Sequence, residues 1–260
     1  MGIRPNKRLS QSFLCSPSIA AAMVQAAEIE PSDTVLEIGP GLGVLTEELA
    51  RDGAPVMAIE LDFALAQGLR DFLGASANVH IHQGDALTVD IGSLVREPYV
   101  VVSSLPYQAA TRILMRLLLE RPRPRRMVVM LQEEVARRMV MQTGIGNYLG
   151  MALATVATVS LVRRVPPGAF HPVPKVRSAV VRLDVLTQPA VEVGNIEPFF
   201  AFLRAGFAQP RQQLHNSLAQ GLDIPVGVAR RLVTSVGQDP TRRPGQLTLE
   251  GWAALFRARD

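Results

Sequence analysis

The sequence predicts an α/β fold, a doubly wound parallel sheet followed by a small all-helical C-terminal domain, and three observations carry that prediction. Five short β-branched apolar runs alternate with stretches of helical period. A glycine-rich turn follows the first run, and from about Pro198 the pattern stays helical to the end. Alternation of this kind is the signature of parallel strands joined by crossover helices.

In chain order the strand candidates are "TVLEI" (34–38), "PVMAI" (55–59), "NVHIH" (78–82), "YVVVS" (99–103) and "MVVML" (127–131). They are short and mostly unalternating, as strands covered on both faces should be. "VLTEELARDG" lies between the first two and reads as a helix stopped by Gly53. "TGIGNYLG" (143–150) reads as a flexible link able to gate a pocket. "ATVATVSLVRRV" (154–165) and "SAVVRLDVL" (178–186) are two further strand candidates, joined by the proline-rich "PPGAFHPVPKV", and suit an antiparallel edge. A low-order connector, "TQPAVEVGN", then leads to the helical part. The expected division is residues 1–187 for the sheet domain and 188–260 for the helical one.

Composition narrows the function classes. With 260 residues and 48% apolar content the chain can bury a substantial core. Its single cysteine, Cys15, rules out an internal disulfide and fits a reducing compartment. The basic start (Arg4, Lys7, Arg8) and the small-residue run from Ile19 to Val24 have the outline of a secretory leader. Gln11, Ser12, Ser16, Pro17 and Ser18 interrupt it. No run approaches the roughly 20 apolar residues of a membrane span. The expectation is a soluble, cytoplasmic monomer with no membrane partner.

Charge is uneven. Residues 1–159 carry 14 Lys/Arg against 16 Asp/Glu, and residues 160–260 carry 13 against 7. That excess suits a polyanion partner, because each neutralised phosphate releases counterions. A solvated arginine-rich surface is the other reading.

The most informative stretch is "VLEIGPGLGVLTEELA". A strand ends around Glu37, and Gly39, Gly41 and Gly43 then turn into a helix, a geometry that lets backbone approach a ligand. A dinucleotide fingerprint needs Gly or Ala three places after the second glycine, and residue 44 is Val. The spacing E-x-G-x-G-x-G suits a cofactor without a pyrophosphate. Glu60, 21 residues after Gly39, ends the second strand where a carboxylate accepts ribose hydroxyls. Asp85 in "QGDAL" is placed to read an adenine amine. Adenosine bound without phosphates points to S-adenosylmethionine, with S-adenosylhomocysteine as product.

"SSLPY" (103–107) closes the fourth strand with the pattern of methyltransferases acting on the amino group of adenine or cytosine. That nitrogen shares its lone pair with the ring and is a poor nucleophile, so acceptors must draw it toward a tetrahedral shape. Ser104 and the Leu105 carbonyl are the acceptors, a preorganised electrostatic contribution. Pro106 fixes the backbone that aims the carbonyl. Tyr107 stacks on the base, a contact worth roughly 1–3 kcal/mol. A sulfonium donor is already activated, so no metal or general base is expected, and catalysis is mostly alignment.

Taken together, "EIGPGLGVLTEELA", "AIELD", "GDAL", "SLPY", "MLQEEVARRM", "PPGAFHPVPKVRSAVVRL" and "GFAQPRQQLHNSL" resemble the ribosomal small-subunit RNA adenine dimethyltransferases (KsgA type). Relatives of that family include the Erm methyltransferases and mitochondrial transcription factor B. The resemblance covers nearly the whole chain. It implies a Rossmann-like methyltransferase domain and a small helical domain that binds RNA or the ribosome. It also implies dimethylation of two adjacent adenines near the 3′ end of 16S rRNA. By position, the cofactor contacts fall on Ser12, Leu14, Gly39, Gly41, Glu60, Asp85 and Ser104, and Phe170 becomes a second stacking face. Lys175, Arg177, Arg211 and His215 are the expected RNA contacts.

The chain departs from the family in having Ser where Asn is usual at positions 12 and 104. Losing one acceptor can cost about 10²–10³ in rate, and Ser103 stands next to it as a candidate substitute. The basic cluster around Arg211 and His215 is also thinner than in relatives. Two alternatives therefore stay open: an Erm-like enzyme acting on 23S rRNA, and a weakly active or non-catalytic assembly factor of the same fold. His80 and His82 read as ordinary strand residues, Glu133 and Glu134 as helix-start acids, and Arg121, Arg123, Arg125 and Arg126 as a solvated loop.

Overall fold

The computed structural model describes residues 12–73, 78–140 and 146–259. The basic start of the chain and residues 143–145 of the expected link lie outside them. By compactness the chain forms two units, one of residues 1–136 and 160–185, the other of 137–159 and 186–260. The second unit thus takes in 137–159 as well as the C-terminal stretch.

In the first unit, β1 (Phe13–Leu14) precedes α1 (Pro17–Ala27), and β2 (Thr34–Ile38), α2 (Val44–Arg51), β3 (Val56–Glu60), α3 (Phe63–Leu73) and β4 (Val79–Gln83) follow. The chain continues through α4 (Ile91–Leu94), β5 (Tyr99–Ser104), α5 (Ala110–Leu119), β6 (Arg126–Gln132) and α6 (Glu133–Met139). After α7 (Tyr148–Val156) come β7 (Ala157–Val165), β8 (Phe170–His171) and β9 (Ser178–Val185). The seven-stranded sheet has the order β4-β3-β2-β5-β6-β9-β7. Its first five strands are parallel and β9 runs antiparallel to β6. This is a Rossmann-like arrangement. The strand order reverses at β2, so the crevice past the carboxyl ends of β2 and β5 is the place for a ligand.

Burial explains which runs became strands. β5 and β6 are buried along nearly their whole length, as their unbroken Val and Met content requires, whereas the edge strand β4 leaves His80 exposed. The structure corrects the start of "ATVATVSLVRRV": Ala154, Thr155 and Val156 finish α7, whose first turn Asn147 caps by accepting the Gly150 N–H at 3.1 Å. The same cap makes Tyr148 to Gly150 helix where a flexible link was expected.

Arg125 and Arg126 also differ from expectation. Arg125 forms a two-pronged pair with the fully buried Asp33, just before β2, and donates to the Glu28 carbonyl at 2.9 Å. Arg126 faces Asp184 across the β6–β9 ladder at 2.6 Å and reaches Glu28 at 2.8 Å. Arg182 joins the same Glu28 and Asp184 at 2.6 and 2.9 Å. These cations fasten α1 to the amino ends of the parallel strands.

The second unit is helical: α7, α8 (Ile196–Gly206), α9 (Leu214–Leu222), α10 (Val226–Ser235) and α11 (Leu249–Arg257). Trp252 is fully buried against Phe202 and Phe207, with ring centroids 6.1 and 5.2 Å away. α8 and α9 touch where Gly221 lies; a Cβ there would sit 1.9 Å from the Ala205 carbonyl oxygen, so only glycine allows the approach.

Candidate active site

The site is built at the strand tips of the first unit. After β2, Gly39, Gly41 and Gly43 all have positive φ (69°, 58° and 86°), which swings the backbone across the sheet edge and into α2. Gly41 has a second reason to lack a side chain, since a Cβ there would meet the Phe13 ring at 2.8 Å. Glu60 ends β3, is 5% exposed, and accepts the Gly41 N–H at 3.2 Å and the Asp62 N–H at 2.9 Å. Burial raises its pKa above the usual carboxylate value, with the two backbone donors opposing that shift. Asp85, past β4, accepts the Leu87 N–H at 2.8 Å.

β5 ends in Ser104, and the Leu105 N–H extends the ladder by donating to the Met130 carbonyl at 3.0 Å. Leu105 is buried, Pro106 is exposed, and the half-buried Tyr107 shares a 2.7 Å hydrogen bond with Ser178 on β9. Ser103 cannot serve as the substitute acceptor. It is fully buried and its hydroxyl donates to the Ile38 carbonyl at 2.6 Å, so it acts as a strut between β5 and β2.

One cavity unites these groups. Ser12, Gly39, Gly41, Glu60 and Asp85 line it, and so do Ser104, Leu105, Pro106 and Tyr107. Its cavity volume is about 230 Å³. Phe13, Leu61 and Gln108 also line it and were not singled out from sequence. Phe13 is recognisable only once β1 is seen pairing with β8.

Other expected residues lie elsewhere. Leu14 and Phe170 pair across β1–β8 and belong to the apolar core. Phe170 is 3% exposed, so its ring is spent on packing and the stacking role expected for it has no free face. Lys175 and Arg177 are exposed on the segment leading into β9. In the second unit Arg211 is exposed, but His215 is not. His215 is 2% exposed, with Nδ1 2.7 Å from the Pro240 carbonyl and Nε2 3.3 Å from an Arg230 nitrogen. Arginine only donates, so Nε2 accepts and Nδ1 carries the proton. The expected RNA contact at His215 is therefore an internal joint.

Glu37 was read only as part of the glycine motif, and the structure gives it a sharper character. It is 1% exposed, and one carboxyl oxygen has no hydrogen-bond partner. The nearby Thr46 hydroxyl also makes no hydrogen bond of ordinary geometry. Burial raises the pKa of Glu37 to about 8; the neighbouring Thr46 hydroxyl opposes the shift and, more weakly, the charge of Glu60 adds to it. Among the described residues no group of three His, Cys, Asp or Glu could hold a metal ion.

The cavity fits an adenosine-type methyl donor on its own chemistry: a backbone cradle without side chains, a buried carboxylate at the tip of β3, and an amine acceptor in Asp85. A sequence profile described as ribosomal RNA adenine dimethylase matches residues 2–236. The chain belongs to the ribosomal RNA adenine dimethylase family. A small subunit ribosomal RNA methyltransferase A of Dehalococcoides mccartyi is 40% identical over 256 residues, covering 97% of this chain and 88% of that protein. Its counterpart in Pelotomaculum thermopropionicum is 39% identical over 268 residues, covering 98% and 91%. Among solved structures, the 23S rRNA methyltransferase ErmE matches with a TM-score of 0.72 and 29% identity, covering 95% of this chain and 98% of that one. Membership of the dimethylase family makes the chain a methyltransferase, and the methyl donor its cradle fits is S-adenosylmethionine.

Proposed function

We propose that this member of the dimethylase family places two methyl groups on the N6 nitrogen of each of two adjacent adenines near the 3′ end of 16S rRNA, within the small ribosomal subunit. The observation that carries the reading is the Ser104–Tyr107 turn opening into the same cavity as Glu60 and the glycine cradle. The small-subunit relatives, near 40% identical over almost the whole chain, support it over the Erm alternative. S-adenosylmethionine, when bound, supplies a methyl group on a sulfonium that needs no further activation.

The residues of the chain do the rest. Each Glu60 carboxyl oxygen accepts one backbone N–H and has a further lone pair with which to accept a ribose hydroxyl. Ser104 and the Leu105 carbonyl accept the N–H bonds of the target amine and localise its lone pair. Tyr107 stacks on an adenine turned out of its helix or already unpaired. With Phe170 packed away, Tyr107 is the aromatic face that this reading offers the base. Exposed Lys175, Arg177 and Arg211 contact RNA phosphates, and the protein works as a cytoplasmic monomer. Among the described residues no helix is long and apolar enough to cross a membrane.

The test is mass spectrometry of nucleosides after incubating the protein and labelled S-adenosylmethionine with undermethylated small subunits, naked 16S RNA and large subunits. Dimethyladenosine on small subunits is the expected result. Label on 23S RNA would replace this reading with the Erm-like one. Cofactor uptake with no transfer to any RNA would leave an assembly factor.

A further inference from the structure

We propose that Ser178 is a positioning residue for the target base, acting through the hydroxyl of Tyr107. The inference rests on the amino-group reading above and deepens it. Tyr107 sits in a turn, where the ring direction is otherwise set by two side-chain torsions with several staggered choices. Its hydroxyl, however, is 2.7 Å from the hydroxyl of Ser178, which lies on β9, two strands away from the end of β5. Ser178 is fully buried, and the ladder pairs it with Gln132 on β6. One residue earlier, the Arg177 carbonyl accepts the Glu133 N–H at 3.0 Å. The serine is thus fixed by backbone on both sides, and it fixes the far edge of the ring in turn. A turn residue acquires the rigidity of the sheet.

This position carries a second consequence. Ser178 directly follows the exposed segment that holds Lys175 and Arg177, so the anchor of the aromatic ring and the RNA-facing cations share one short stretch of chain. Ring orientation and phosphate contact are set by neighbouring residues rather than by separate parts of the fold.

The experiment is a double-mutant cycle on the full chain with undermethylated small subunits. Ser178→Ala, Tyr107→Phe and the double variant are compared by single-turnover methyl transfer, with S-adenosylmethionine affinity measured by calorimetry. Each single variant should slow transfer by about 3- to 10-fold, the value of one neutral hydrogen bond, while cofactor affinity stays within about twofold. The double variant should be no slower than the slower single one, because both remove the same bond. Multiplying losses, or wild-type transfer by either single variant, would overturn the proposal. Tyr107→Phe removes only an oxygen and keeps the test available should Ser178→Ala fold poorly. Absence of transfer by the unmutated protein would instead sink the functional reading, and an active protein indifferent to these changes would sink this inference alone.

Discussion

The two ends of one sheet are built on opposite electrostatic terms. At the amino ends of β2 and β6, charges meet opposite charges: the buried Asp33 with Arg125, and the exposed Glu28 and half-buried Asp184 with Arg126 and Arg182. At the carboxyl ends, Glu37 and Glu60 are as deeply buried, yet no cation is among the groups that act on them. Desolvating a carboxylate is costly unless it is paired. The paired end holds the fold together. At the unpaired end Glu60 lines the cavity and is held by two backbone N–H groups, whereas Glu37 lies behind the lining.

Mutations should divide along the same line. Asp33→Ala removes the two-pronged partner of Arg125, which keeps the Glu28 carbonyl, and should cost about 2–3 kcal/mol in urea unfolding, reduced from the full buried-pair value because Arg125 reaches solvent. Affinity for S-adenosylmethionine should not change. Glu60→Gln should do the reverse, weakening cofactor binding by roughly 10- to 30-fold in calorimetry with little loss of stability. Comparable losses of both properties in either variant would break the comparison.

Acid and base sharpen it further. Burial pushes the Asp33 carboxyl up, but the hydrogen bonds from Arg125 and the Glu30 N–H outweigh this and hold it below 3.8. Its stabilisation is present above that value and is lost as pH falls through the lower folded value. Glu37 has the opposite sign. Its folded pKa of about 8 lies above 4.5, so stability declines as pH rises between the two. Melting temperatures of the wild type and Glu37→Gln, followed from pH 5 to pH 8, should diverge in favour of the variant, and parallel curves would refute the assignment. Cofactor affinity should also fall on acidification with a midpoint above 4.5, the usual value from which burial raises Glu60. That limb should vanish in Glu60→Gln. The smallest effect is expected from Ser104→Asn, which should preserve or modestly raise turnover; a clear drop would show a pocket refitted around serine.

Much of this was legible in the chain. Central parallel strands must be apolar on both faces, so β5 and β6 are readable from their Val and Met runs and β2 from Val35, Leu36 and Ile38 around the single acid Glu37. The glycine turn, Glu60, Asp85 and the Ser104–Tyr107 turn follow strand ends directly, and the structure brings them to one cavity. What escaped depends on contacts distant in sequence. β1 and β8 are two residues each, too short to show a period, and only their pairing explains why Phe170 is buried and Phe13 lines the cavity. His215 sits on a helix whose pattern does not reveal that the Pro240 carbonyl will meet it. Arg125 and Arg126 look like loop cations until residues 92 and 58 positions away supply their carboxylates.

The proton held by Glu37 also changes the electrical census of the molecule. The formal +4 treats every carboxyl as ionised, whereas the folded chain near neutrality keeps this one discharged. Glu37→Gln, on paper the loss of an anion, should therefore leave native electrophoretic mobility untouched at pH 6 and separate the two proteins progressively as pH rises through about 8.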